Sequence, residues 1–383
     1  MAGDRRRVRG SGVIALCLLA VSLVGCGPGS RRDTTRDEVQ VALDRRAAVV
    51  LGREGATYDV PLAQWSYRLT SVDAEGDRAT ADARLSYRLR GYDSVPVTTS
   101  RVVRLARDEG GVWSVVSEEP EEGAGEQLWD QGRVSVVRGA RSLVMGVGQP
   151  LDRLRDFADL ADRAVPAVSE AWGTGWARRV VVVVPGSLRG MAELLGASVD
   201  SYRGIAAVTT GETGGRAPAD RIVVNPEAYA MLGSVGRQVV LTHETTHVAT
   251  RAHTNAATPL WLSEGYADWV GYRTTSRTPA EAAPELQTAV TEGRLPAALP
   301  TDADFSFGAD ATRLAQAYEG GWLACRLIAE RWGEDRLDAF YKAVGAHGKR
   351  EGAVEGALGR VLGVSSGEFT EQWRAYVKEE LAG

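Results

Sequence analysis

"LTHETTHVAT", residues 241–250, places His243 and His247 four positions apart, with Glu244 directly after the first histidine. The chain has four histidines in 383 residues, so a chance His-Glu-x-x-His anywhere in it has a probability of roughly a few in a thousand. The surrounding "SVGRQVVLTHETTHVATRAH" predicts a helix, with Ser234 as its cap and Val239 and Val240 on a buried side. On that helix the two imidazoles lie one turn apart on a single face. Two ring nitrogens so placed can bind one zinc ion. A glutamate beside them that does not ligate is placed to deprotonate a water that zinc activates.

A catalytic zinc needs a third protein ligand and one open position, and the sequence offers two candidates. His253, six residues after His247, completes "HETTHVATRAH". This resembles the metzincin His-Glu-x-x-His-x-x-Gly-x-x-His pattern except at Thr250. That family's glycine lets the chain turn sharply out of the helix, and a β-branched threonine is a poor occupant of a φ > 0 position. The last methionine of the chain, Met231, also precedes the motif, so no Met-turn can form. His253 is better read as an exposed histidine near a helix end, where a cation suits the helix dipole.

The other candidate is Glu264 in "PLWLSEGYADWVGY", seventeen positions after His247. Ser263 can cap a helix that Glu264 opens, and Asp268 then falls one turn later on the same face. Trp261, Leu262, Trp269 and Val270 around the two acids argue against a solvated surface pair. His-Glu-x-x-His followed by Trp-Leu-x-Glu-Gly-x-Ala resembles the gluzincins, the thermolysin-like zinc metallopeptidases, and in particular their bacterial peptidase-MA-like branch. The resemblance covers residues 134–383. It implies zinc ligation by His243, His247 and Glu264, a general base at Glu244, and an acid at Asp268 that orients a ligand histidine.

It also implies that "GIAAV" (204–208) is an edge strand that pairs with an extended peptide, and that "QAYEGGWLACRLIAERWG" and "VLGVSSGEFTEQW" form a helical tail. Tyr318 in that tail is the expected transition-state hydrogen-bond donor, with Tyr266 as the fallback. "GVSSG" (363–367) fits the Gly-x-Ser-x-Gly nucleophile elbow of α/β-hydrolases, but that fold needs a histidine after the serine, and none follows His347.

The chain opens on the basic "MAGDRRRVRG" and continues "SGVIALCLLAVSLVGCG", an apolar run of about a dozen residues, too short to span a bilayer and suited to an export signal. "LVGC" (23–26) resembles the bacterial lipobox, which implies cleavage before Cys26 and lipid attachment to its thiol, with enough acyl chains for stable anchoring. Four arginines and one aspartate leave with residues 1–25, taking the net charge from −5 to −8 and excluding a basic nucleic-acid footprint. Cys17 leaves too, so Cys325 has no intramolecular partner and stability must come from an ordinary core.

Periodicity divides the rest. Val39, Leu43, Ala47, Val50 and Leu51 recur at helical spacing in residues 34–53, with Thr34 or Thr35 as cap. Alternation follows at Trp65, Tyr67 and Leu69, at Ala81, Ala83, Leu85, Tyr87 and Leu89, and at Val103 and Leu105, predicting an antiparallel sheet packed on that helix. The combination resembles the α+β roll of ketosteroid-isomerase-like domains. The acidic "SEEPEEGAGEQ" reads as a linker. Beyond it come a strand pair, a proline-containing helix, the buried strand "VVVVV" and two short strands before the motif.

The expected class is α+β, with a signal peptide at 1–25, a tether at 26–33, a roll-like domain at 34–118, a linker at 119–133 and a zinc-peptidase-like domain at 134–383. The expected function is an extracytoplasmic, lipid-anchored zinc peptidase that acts on a peptide or protein substrate and not on nucleic acid. A non-catalytic envelope-binding lipoprotein with a structural or vestigial zinc site is the alternative.

Overall fold

Helix α1 (Gly29–Gly52) lays Val39, Ala42, Leu43, Ala47 and Val50 against one face of a four-stranded antiparallel sheet. Its strands β1 (Leu62–Glu75), β2 (Arg78–Leu89), β3 (Val97–Arg107) and β4 (Trp113–Pro120) pair in chain order. The computed structural model describes residues 29–52, 60–211, 218–306 and 310–382, with side chains from residue 34 onward. The export-signal residues 1–25 and Cys26 lie outside this set. Among the described residues no helix is long and apolar enough to cross a membrane.

The alternation that predicted the sheet is what folds it. Trp65, Tyr67, Leu69, Ala81, Ala83, Leu85, Tyr87, Leu89, Val103 and Leu105 are all buried on the face that meets α1. Two details of the helix differ from expectation. Leu51 is 38% exposed, because it lies one position, and so about 100° of helix, past the Val50 stripe. Thr34 and Thr35 are interior helical residues and not caps, since the helix already runs from Gly29.

The second sheet has the order β5-β6-β7-β9-β8, formed by Val134–Arg138, Ser142–Val147, Val180–Val184, Arg221–Val224 and Ala207–Thr210. Its central pairs β6–β7 and β7–β9 are parallel and its outer pairs antiparallel. Both faces are covered, which explains the uninterrupted valines. Val180, Val182 and Val184 face Phe157 and Ala161 of α2 (Leu151–Trp172, with Pro166 inside it). Val181 and Val183 instead share a core with the first sheet, α1 and Leu128.

Polar contacts close the same boundary. Buried Asp93 accepts the amides of Leu89 and Ala219 and the Arg221 guanidinium at 2.9 Å. Arg101, 1% exposed, is held bidentate by Asp130 at 2.7 and 2.8 Å and by Glu118 at 3.0 Å.

The remaining helices are α3 (Leu188–Leu195), α4 (Pro226–Ala230), α5 (Ser234–Thr250), α6 (Leu260–Tyr272), α7 (Pro279–Ala282), α8 (Pro284–Thr291), α9 (Ala311–Trp332), α10 (Glu334–Gly345), α11 (Ala353–Ala357) and α12 (Ser366–Leu381). The architecture is thus α+β, with an antiparallel front sheet, a mixed sheet and a helical C-terminal part. "GVSSG" serves as a helix start: Gly363 sits at φ 72°, and Ser365 caps α12 in a reciprocal pair with Glu368.

Two helix starts differ by a few residues from the sequence reading. Gly233 and not Ser234 is the N-cap of α5. α6 begins behind Pro259, with the Leu260 amide donating to Asp302 Oδ1 at 2.9 Å, so Ser263 lies inside the helix and bonds back to the Leu260 carbonyl. A cap supplied from forty-two residues away leaves no local sequence signal.

α6 is wedged between α5 and α9 through glycines. Gly271 packs on Val239 of α5, where a Cβ would lie 3.2 Å from its main-chain oxygen. Gly265 faces Gly321 of α9 so closely that a Cβ would run into the Gly321 carbonyl, and a Cβ on Gly321 would come within 2.6 Å of the Trp261 oxygen. Backbone fills the opposing position on both sides, so no side-chain movement can make room. Gly265→Ala is therefore expected to cost about 3 kcal/mol, the upper end for overpacking. Chemical denaturation of the purified protein checks this; Gly293→Ala, where a Cβ meets nothing but φ is 78°, should cost about 1 kcal/mol.

Candidate metal centre

The 3.6-residue period of α5 brings His243 and His247 together, with their rings nearly perpendicular, centroids 4.7 Å apart and Nε2 atoms 3.0 Å apart. Glu264 of α6 brings Oε2 to 3.3 Å from each Nε2. Asp268, one turn further on, places Oδ1 2.7 Å from His243 Nδ1. A carboxylate only accepts, so Nδ1 carries a proton, and Nε2 is the nitrogen of His243 that faces Glu264 and His247.

The donor set fits zinc. Tetrahedral bonds of about 2.0–2.1 Å to nitrogen and oxygen place neighbouring donors about 3.3–3.4 Å apart. The triangle here has edges of 3.0, 3.3 and 3.3 Å, close to one face of that tetrahedron, and it is the one group of metal-type donors found among the described residues. Two imidazoles and one carboxylate are also the chemistry zinc takes in hydrolytic sites.

Opposite charges hold these side chains to one another. Burial works to raise the Glu264 carboxyl, but His247, and then hydrogen bonds with both histidines, hold it well below the usual carboxylate range. Burial likewise opposes the charged form of His243, yet Asp268, with help from Glu264 and Glu244, leaves its imidazole well above its ordinary value.

Glu244 is not one of the three donors. Its Oε2 accepts from the Thr209 hydroxyl of β8 at 2.7 Å, and the same hydroxyl lies 3.0 Å from the Glu244 main-chain oxygen. Thr209 was not singled out in the sequence: it lies thirty-five residues from its partner, just past the segment read as an edge strand, and no spacing links the two. β8 is an edge strand as expected, formed by residues 207–210 rather than 204–208.

Tyr318 on α9 stands 6.4 Å, ring to ring, from His243 and packs edge-on against Phe305. Burial first, then the negative charge of Glu264, Asp268 and Glu244, pushes its phenol well above 10, so it is a hydrogen-bond donor and not a base. Tyr266 is fully buried with its hydroxyl on Asp338 and its ring against Trp172 and Tyr341, which removes it as an alternative donor. His253 is not part of the triangle. Thr250 remains right-handed at φ −82°, the chain continues into the turn Arg251–His253, and the exposed His253 ring rests edge-on against Trp172. Burial and then Lys342 push that imidazole down, so the helix-end cation expected there is disfavoured.

No protein-family model matches the chain, and no curated protein matches it. Among solved structures it is similar to the native LTA4 hydrolase of yeast, at 12% identity over 84% of this chain and 60% of that one, with a TM-score of 0.37. It is also similar to an M1 zinc metallopeptidase of Deinococcus radiodurans bound to a Tyr-Ser-Ala substrate, at 13% identity over 82% and 93% of the two chains, with a TM-score of 0.36. A second yeast leukotriene A4 hydrolase structure gives 12%, 76%, 55% and 0.33 in the same order. The chain thus spans less than two thirds of the length of either yeast structure. Likeness at this level fixes neither family nor activity.

Asp268→Ala is expected to weaken zinc binding by about 10–100-fold, the usual cost of losing the group that orients a ligand histidine. Glu264→Ala should weaken it further, and His253→Ala should leave it unchanged. Competition against a chromophoric chelator measures all three.

Proposed function

We propose that this chain is a zinc-dependent peptidase, and the observation that carries the reading is the half-buried triangle of His243, His247 and Glu264 with Asp268 behind it and Glu244 beside it. When bound, zinc supplies Lewis acidity toward water and toward a peptide carbonyl. The chain's own residues supply the rest. Asp268 holds the Nδ1 proton of His243 and so fixes which nitrogen faces the metal. Thr209 pins Oε2 of Glu244 and leaves Oε1 to take the proton of the attacking water and pass it to the leaving amine. Tyr318, kept protonated by its surroundings, donates to the carbonyl oxygen as negative charge develops there.

The experiment is a metal assay on the purified protein together with peptide cleavage with and without a chelator. Glu244→Gln should keep zinc and lower turnover by at least about 10²-fold, because a base is lost and a ligand is not. Tyr318→Phe should lower kcat by roughly 10²-fold with KM and zinc content little changed. Stoichiometric zinc with no cleavage of any peptide would return the chain to a binding role.

The proposal extends to location. Cys26, within "LVGC", is the lipid attachment point that holds the protein on the outer side of a bacterial membrane. Cys26→Ser should abolish the lipid mass increment and shift the protein out of the tightly membrane-bound fraction. An unmodified Cys26 in the wild-type protein, read by intact mass, overturns this part.

A further inference from the structure

Residues 219–221, where the chain enters β9, are held from two sides. On one side is Asp93, in the connection between β2 and β3 of the front sheet. Its buried carboxylate accepts the Ala219 amide at 3.0 Å and the Arg221 guanidinium at 2.9 Å. On the other side is Arg251, in the turn that continues α5, whose Nε donates to Asp220 Oδ2 at 2.9 Å. Arg221 thus turns to the front sheet and its neighbour Asp220 to the metal helix, the alternation of a chain entering a strand.

Both contacts lead to α5. β9 carries β8: Arg221 pairs with Thr210, and Thr210 Oγ1 accepts the Arg221 amide at 3.2 Å. The residue before it, Thr209, is the one that pins Glu244 Oε2 at 2.7 Å. Glu244 precedes His247 by three residues and Arg251 follows it by four, so the two routes reach the metal helix about one turn to either side of a candidate ligand.

The Asp220–Arg251 pair is enclosed. Asp220 is 8% exposed, and burial raises its carboxyl against the opposing pull of Arg251 first, then of Arg221 and His247. The end of β8 packs on the pair as well: a Cβ on Gly211 would run into the Asp220 carboxylate and lie 2.9 Å from Arg251 Nε. A buried charge that loses its partner is left without water or counter-charge, so each of these ion pairs resists displacement of the segments it joins.

We propose, on the peptidase reading above, that this stretch is the means by which the front sheet sets the position of the metal helix. Asp93 and Asp220 are positioning residues. Asp93 acts on the candidate base through Arg221, β8 and Thr209, and Asp220 acts on the His247 end of α5 through Arg251. The front sheet is then required for full turnover, although it supplies none of the three donors.

The test reads kcat per bound zinc and zinc affinity separately, so that a loss of folded protein does not count as a loss of catalysis. Asp93→Asn keeps the side chain's shape and an acceptor for the amides, and removes the charge that faces Arg221. It should lower kcat per bound zinc by about 10–100-fold, the effect of displacing a reacting group by around an ångström, with KM and zinc affinity little changed. Asp93→Asn/Arg221→Gln, which leaves no unpaired charge, reads the same quantity where the single change does not fold. Thr209→Val should show the same loss, and Asp93→Asn/Thr209→Val should be no worse than Thr209→Val alone, because both act on one carboxylate. Multiplying losses, or an unchanged kcat per bound zinc in Asp93→Asn, overturn the route through β8.

Asp220→Asn and Arg251→Gln should each weaken zinc binding by about tenfold, and together by no more than either alone. Gly211→Ala, which alters no charge, should reproduce that loss by pushing Asp220 off Arg251. Competition against a chromophoric chelator measures all of these, and an unchanged affinity in the three single variants overturns the route through Arg251. A wild-type protein that binds zinc stoichiometrically and cuts no peptide overturns the peptidase reading, and with it the role of Asp93 in turnover, while the zinc affinities still decide the Asp220 route.

Discussion

The contact on which the site depends is backbone against backbone: Gly265 of α6 on Gly321 of α9. Glu264 precedes the first glycine and Tyr318 lies three residues before the second, so the approach of these two main chains sets how far the Glu264 carboxylate stands from the phenol. At its other end α6 meets α5 through Gly271, which brings Asp268 onto His243. One helix, fixed at both ends by residues without side chains, therefore aligns groups from three helices. Glycine costs helix stability, and its presence twice inside α6 is accounted for by the closeness it permits.

The same wedge concentrates charge. Glu244, Glu264 and Asp268 all act on Tyr318, and Glu264 and Asp268 both contact His243. Three carboxylates and two imidazoles in a largely buried region are well matched to a divalent cation, whose charge would be the largest in the site. The phenol beside them is kept protonated first by its burial and then by those carboxylates, so the acids that suit a metal also hold the proton on Tyr318.

Much of this was legible in the sequence, where the signal was local. Period two named the buried face of the first sheet residue by residue, and the four-residue spacing of His243 and His247 named their common face. Asp268 was read one turn from Glu264 and stands there against His243. What could not be read was long-range. The cap of α6 comes from Asp302, which misplaced Ser263; Thr209 reaches Glu244 across the gap between strand and helix; and the glycine contact leaves no periodic trace, since glycine carries no side chain to pattern. The acidic segment after β4 reads as solvated linker, yet Leu128 enters the core and Asp130 clamps Arg101, because a short turn folds both inward.

Strands β7 and β9 each serve two cores, and this bears on how the molecule comes apart. Val223 belongs with the first sheet and its neighbours Ile222 and Val224 with the helices, while the same strand pairs with β8, which holds Glu244 through Thr209. Hydrogen-exchange protection around β8 and α5 should then report on the front sheet as faithfully as on the helices, since opening either core strips one face of a shared strand. On that expectation the two halves open as one cooperative unit, and the front sheet supports the candidate metal centre rather than hanging from it as a detachable appendage.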